Sequence, residues 1–146
     1  MEFGWINVWG TILVIIMLIP NIIFAIRNPH SGNKCRNFLV NMTEQIGRYA
    51  SMALMILPIG IWEFGFRSVF EMLLYFIATA ALLTAYLVVW VFYFRAESAC
   101  KAIALALLPT SLFLVSGILL RHWLLVIAAI LFGAAHTYIT TQNQND

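Results

Sequence analysis

Charge is what this sequence has least of. Its 146 residues include eight lysines and arginines and six acids, so charged residues make up only 10%, while hydrophobic residues make up 63%. Soluble domains carry about a quarter charged residues and roughly half apolar ones. A water-soluble fold this small cannot cover so much apolar surface, because surface grows too fast relative to volume in short chains. The same numbers exclude a disordered chain. The net charge of +2 is scattered, with no basic run to follow a phosphate backbone, so no nucleic-acid partner is expected.

Cysteine is nearly as scarce. Cys35 and Cys100 form no CxxC and have no histidine at ligand spacing, which excludes a disulfide framework or a zinc site built from local motifs. The P-loop, G-x-S-x-G and H-E-x-x-H patterns are missing too, so no metal, cofactor or catalytic residue is expected. The opening Met1-Glu2-Phe3-Gly4-Trp5 carries an acid and no base, the reverse of a signal peptide, and the following apolar run reads as a retained helix.

What is present is apolar length. A membrane span takes about 20 apolar residues at 1.5 Å rise each. Such segments are predicted at 5–26, 38–62, 69–94, 99–117 and 123–140, separated by polar or turn-forming stretches such as Asn28-Pro29-His30-Ser31-Gly32-Asn33. Ser68-Val69-Phe70-Glu71 has capping-box spacing at the start of the third. The sequence therefore predicts an all-α, polytopic membrane bundle, one domain over 1–146 with five transmembrane helices. The connector at 118–122 is short, so Gly117 is expected to end the fourth helix; four helices result if that turn fails.

Lysine and arginine near span ends orient the chain. Arg27, Lys34, Arg36, Arg95 and Lys101 fall on one side and Arg67 and Arg121 on the other, which predicts a cell-membrane protein with its amino terminus outside and its carboxyl terminus in the cytoplasm. Trp5, Trp9, Trp62 and Trp123 fall near outer boundaries and Trp90 near an inner one. Small residues mark packing faces in lipid. They recur at Ala129, Gly133 and Thr137, at Ser98, Ala102, Ala106 and Thr110, and at Ala78, Ala81 and Ala85, so the last three helices are expected to pack together. Pro20, Pro58 and Pro109 each interrupt a predicted span.

The second segment is the unusual one. Asn37, Asn41, Glu44, Arg48 and Ser51 recur at spacings of four, three, four and three, one helical face, beside an apolar face of Phe38, Met42, Ile46 and Tyr49. Ionised groups inside a span face the bundle and pair. Rise along the segments puts Asn21, Arg48 and His136 at comparable depth. The candidate binding cluster is therefore Asn21, Asn41, Glu44, Arg48 and His136, chemistry that can hold an anion or relay a proton. Glu63, Arg67, Glu71, Arg121 and His122 read as a solvated outer rim. The bilayer is one partner; a second copy of the chain or another membrane protein is the other expected one. Three functions fit: a transporter or channel subunit for a small solute, an accessory subunit of a larger complex, and an enzyme acting on lipid.

The orientation has a direct check. In sealed inside-out vesicles a membrane-impermeant maleimide should label both Cys35 and Cys100, and in intact cells neither; labelling of either in intact cells would reverse the assignment.

Overall fold

The computed structural model describes residues 5–60 and 65–145. Within them lie five α-helices and no strand: α1 (Val8–Arg27), α2 (Phe38–Ile56), α3 (Val69–Arg95), α4 (Ala99–Leu119) and α5 (Trp123–Asn145). Polar side chains start each helix by accepting from its first free N–H groups. Asn7 accepts from Gly10 N at 3.0 Å, Asn37 from Leu39 N at 3.1 Å, Ser68 from Glu71 N at 3.1 Å and Ser98 from Lys101 N at 3.4 Å. The chain is a helical membrane bundle: α1, α3, α4 and α5 are long and apolar enough to cross a bilayer.

Several predicted helix ends move, two of them at turns. α2 stops at Ile56 rather than at 62, because Leu57 precedes Pro58 and takes an extended conformation (φ −107°, ψ 117°). Pro58 therefore lies beyond α2 and interrupts no helix, whereas Pro20 and Pro109 are inside α1 and α4. Trp62 and Glu63 lie outside the described residues. The second shift is at α4, which runs past Gly117 to Leu119. His122 N donates to Gly117 O at 2.7 Å and Arg121 N to Ile118 O at 3.2 Å, a Schellman end, with Arg121 carrying the positive φ of 55°. Gly117 serves another purpose: a Cβ there would lie 2.7 Å from Val126 Cγ2, so it lets α4 and α5 close tightly beyond the turn.

The helices close into a ring in the order α1, α2, α5, α4, α3, with α1 touching α2 and α3 only lightly. Small residues set the tight contacts. Gly133 of α5 faces Thr110 of α4, 2.3 Å from Cγ2 to an added Cβ, and Gly47 of α2 lies against the Phe132 backbone of α5. The expected alliance of the last three helices is thus redrawn: α5 sits between α4 and α2, and α3 packs on α4. The alanine stripe of α3 is not its packing face, since Ala81 and Ala85 are exposed. The buried face is instead Tyr75, Thr79, Leu83, Tyr86, Trp90 and Tyr93. Large rings there fill the space that α1 leaves by standing off, and ring pairs such as Phe24 with Trp90, centroids 5.6 Å apart, bridge the gap. Trp90 is accordingly buried rather than placed at an interface, and the Trp9 indole donates to Thr79 Oγ1 at 3.0 Å; Trp5 and Trp123 are exposed.

Gly47 yields a test. A methyl there meets Phe132 N at 2.7 Å and Cα at 2.8 Å, backbone atoms that cannot rotate aside. Gly47→Ala should destabilise the detergent-solubilised protein by about 1–3 kcal/mol in equilibrium unfolding. Gly32→Ala, with nothing within 4 Å, should leave stability unchanged.

Candidate functional site

The polarity of α2 is turned inward. Phe38, Met42, Ile46 and Tyr49 form an exposed apolar face, while Glu44 and Ser51 are buried, Glu44 at 4% exposure. A helix that is apolar outside and polar inside is the arrangement lipid favours. At the centre of the inner face Glu44 Oε1 accepts from two sides, from Arg48 Nη2 one turn along α2 and from His136 Nδ1 of α5 at 3.1 Å. Arg48 and His136 keep side-chain exposures of 35% and 26%, so the carboxylate is hidden and its two partners reach open space. The His136 ring stacks on Phe132, centroids 5.0 Å apart, which fixes its direction.

Asn21 joins this group across a cavity rather than by contact. Its Nδ2 donates to Met17 O at 2.8 Å and to Tyr86 Oη at 2.6 Å, and the residue lines two cavities together with Arg48 and His136. Asn41 stands apart. Its Nδ2 donates to Cys35 O at 2.9 Å and its Oδ1 accepts from Asn33 at 2.7 Å, so it ties down the α1–α2 loop and belongs to the fold rather than to the cluster. The regular spacing along α2 put it on the right face but one turn too near the helix start.

Three cavities meet at Arg48 and His136, the two residues that line all of them. Two are broad, about 510 and 610 Å³, and open towards the end of the bundle that carries the α1–α2 loop and the end of α5, among Ser31, Thr140, Asn143 and Gln144. The third is a narrower recess of about 150 Å³ that runs inward and takes lining from every helix, Pro109 of α4 included. Towards the opposite end Leu13, Met55, Tyr75, Leu112, Phe113 and Leu125 are at most 1% exposed, so the recess ends blind. The geometry is a polar vestibule open at one end, a shared charged group at its floor and an apolar recess beneath. Among the described residues no set of three or more His, Cys, Asp and Glu side chains could hold a metal ion.

Sequence reasoning missed the aromatic contribution. Trp90 and Tyr93 line the vestibule and Tyr86 the recess, and their spacing of four and three along α3 was a readable sign of an inward face. Asn143 and Gln144 lie beyond the predicted end of the fifth segment at 140, but α5 extends to Asn145 and carries their amides to the mouth. The predicted rim divides. Arg121 Nη2 and Glu71 Oε1 pair at 2.7 Å, and Glu71 Oε2 also accepts from Arg67 N at 3.0 Å, but His122 is not wet. It is 1% exposed in the α4–α5 turn, where Nδ1 accepts from Leu125 N at 3.4 Å and starts α5. Burial pushes its pKa down, against an opposing interaction with the Leu57 backbone.

Because one carboxylate oxygen serves both side chains, the pair of contacts should be energetically coupled. A double-mutant cycle with Glu44→Gln and His136→Gln should show non-additivity of at least about 0.5 kcal/mol in unfolding free energy; additive losses would mean that the two side chains act independently. No known protein-family model, no curated protein and no solved structure matches this chain.

Proposed function

We propose that this protein binds a small solute in the vestibule and moves it across the membrane, with Glu44, Arg48 and His136 as the charged part of the site and Asn21 beside it. The observation that carries this reading is the buried Glu44 carboxylate shared by Arg48 and His136 at the floor of a one-ended vestibule. Ionised groups are expensive inside a bundle and are retained where they act. A packing role alone would not leave both Arg48 and His136 facing open cavities. The blind recess fits a conformation open to one side only, the form a carrier takes between openings.

In this reading the open end, which carries Arg27, Lys34, Arg36, Arg95 and Lys101, faces the cytoplasm of a cell-membrane protein, and the amino terminus faces outward. One copy bounds the binding site. Passage through the sealed end requires either a movement of the bundle or a path shared with another copy or another membrane protein. A second reading, an accessory subunit of a membrane complex, is favoured by the exposed Ala81 and Ala85 face of α3, which would accept a neighbouring helix closely.

Purified protein in liposomes should take up at least one of a panel of labelled small solutes, with acetate, glycine, urea and glycerol as the starting set. Glu44→Gln and His136→Ala should each lower that uptake at least about tenfold while circular dichroism still shows a folded helical protein. Wild-type uptake that persists in both variants would remove the cluster from the transport path.

A further inference from the structure

The vestibule and the recess beneath it differ in chemistry, and the difference describes a ligand. Arg48 and His136 stand at the junction between them. Arg48 Nη2 is engaged by Glu44, yet the guanidinium lines all three cavities, where its remaining N–H donors suit a planar acceptor group. Apolar side chains, among them Met17, Met52, Leu105, Phe113 and Phe132, wall most of the recess, and Asn21, Tyr49 and Tyr86 add polar lining beside Arg48 and His136. Its volume of about 150 Å³ equals that of an engineered apolar cavity known to hold one benzene ring. We propose that the site takes a small organic anion with a short apolar tail, a monocarboxylate of about six carbons or fewer. Its carboxylate lies between Arg48 and His136 and its tail fills the recess. This rests on the vestibule being a solute site, as argued above.

The same geometry implies a proton. With His136 Nδ1 donating to Glu44 Oε1, a neutral imidazole presents a bare lone pair at Nε2, which repels an anion. Adding a proton at Nε2 turns that nitrogen into a donor, so the anion and one proton enter together and the bound pair adds no net charge. The other ionisable groups lining the cavities are Glu44, Arg48 and Tyr49 on α2, Tyr86 and Tyr93 on α3, His30 and Lys34 in the α1–α2 loop, and Glu97 after α3. α1 and α4 contribute none: α1 offers the amide of Asn21, and α4 offers Ala102, Leu105, Pro109 and Phe113.

The test is calorimetric binding to the full chain in phosphatidylcholine nanodiscs, with empty nanodiscs subtracted, across acetate, butyrate, hexanoate, octanoate and hexadecanoate. Affinity should rise about fourfold per added CH2 up to about six carbons and then stop rising. Hexanamide, of the same length without the charge, should bind at least about tenfold more weakly than hexanoate. Arg48→Gln should erase that difference. Leu105→Phe, which exchanges one apolar side chain for a larger one in the recess, should move the preferred length to shorter chains without a loss of folding. Hexanoate binding should take up about one proton per molecule, read from the dependence of the calorimetric heat on the buffer's ionisation enthalpy, and His136→Gln should abolish that uptake.

Equal binding of hexanamide and hexanoate would overturn the anion assignment. Affinity that keeps rising to hexadecanoate would overturn the short tail and identify a membrane lipid chain as the occupant. Chain-length-dependent binding without any uptake supports this ligand class while removing the transport reading. Uptake of another solute with no carboxylate binding does the reverse.

Discussion

A carboxylate that is 4% exposed inside a bundle surrounded by lipid needs partners in fixed places, and supplying them organises this protein. Glu44 takes one partner from its own helix, Arg48 a turn away, and one from α5, His136. The first contact lies within α2 and keeps the two charges on one face of it. The second fixes how far α2 and α5 slide past each other, because the 3.1 Å contact tolerates little shift. Gly47 and Phe132 lie within the same stretch of the two helices, so close backbone packing and charge matching require the same register. A buried ion pair contributes little net stability, since desolvation offsets much of the attraction, but it penalises every arrangement in which the charges miss each other.

The sequence was most informative where charge was rare. In a chain with 10% charged residues, an acid and a base four apart within an apolar segment could only be interior or interfacial, and the structure brings Glu44, Arg48 and His136 together. It was least informative where packing depends on shape. Alanine at 78, 81 and 85 looked like a contact face, but whether a small stripe or an aromatic one faces the partner depends on the gap to be filled, and the gap beside α3 is wide. Gly117 and Arg121 make the same point: glycine suits a positive φ, yet the tight approach of Val126 needed the glycine, and Arg121 took the strained turn. His122 was misread because a two-helix turn can be buried when neighbouring helices extend past it.

The two ends of the bundle are built on different terms. At the open end the helices diverge, and amides and hydroxyls line the space between them. At the closed end large side chains meet at almost no exposure, and Asn7 ties the helices together: Asn7 N donates to Ile56 O at 2.8 Å, and Asn7 Nδ2 donates to Tyr75 Oη at 3.4 Å. Polar lining is thus concentrated at one end and close burial at the other, which is how the bundle holds an open pocket without a continuous path through it.

The attachment of α1 bears on how the protein is made. It reaches α3 through four side-chain bonds, Asn7 to Tyr75, Trp9 to Thr79, Asn21 to Tyr86 and Tyr86 to Met17 O, rather than through a closely packed small-residue seam. During synthesis α1 enters the bilayer before α3, and every one of those partners lies 65 to 70 residues further along the chain. Until they emerge, Asn21 can rest its amide on Met17 O of its own helix and Asn7 can cap its own first turn. The earliest segment is thus equipped to wait in lipid with its polar groups engaged locally, and it joins the bundle when translation has delivered the helix it binds.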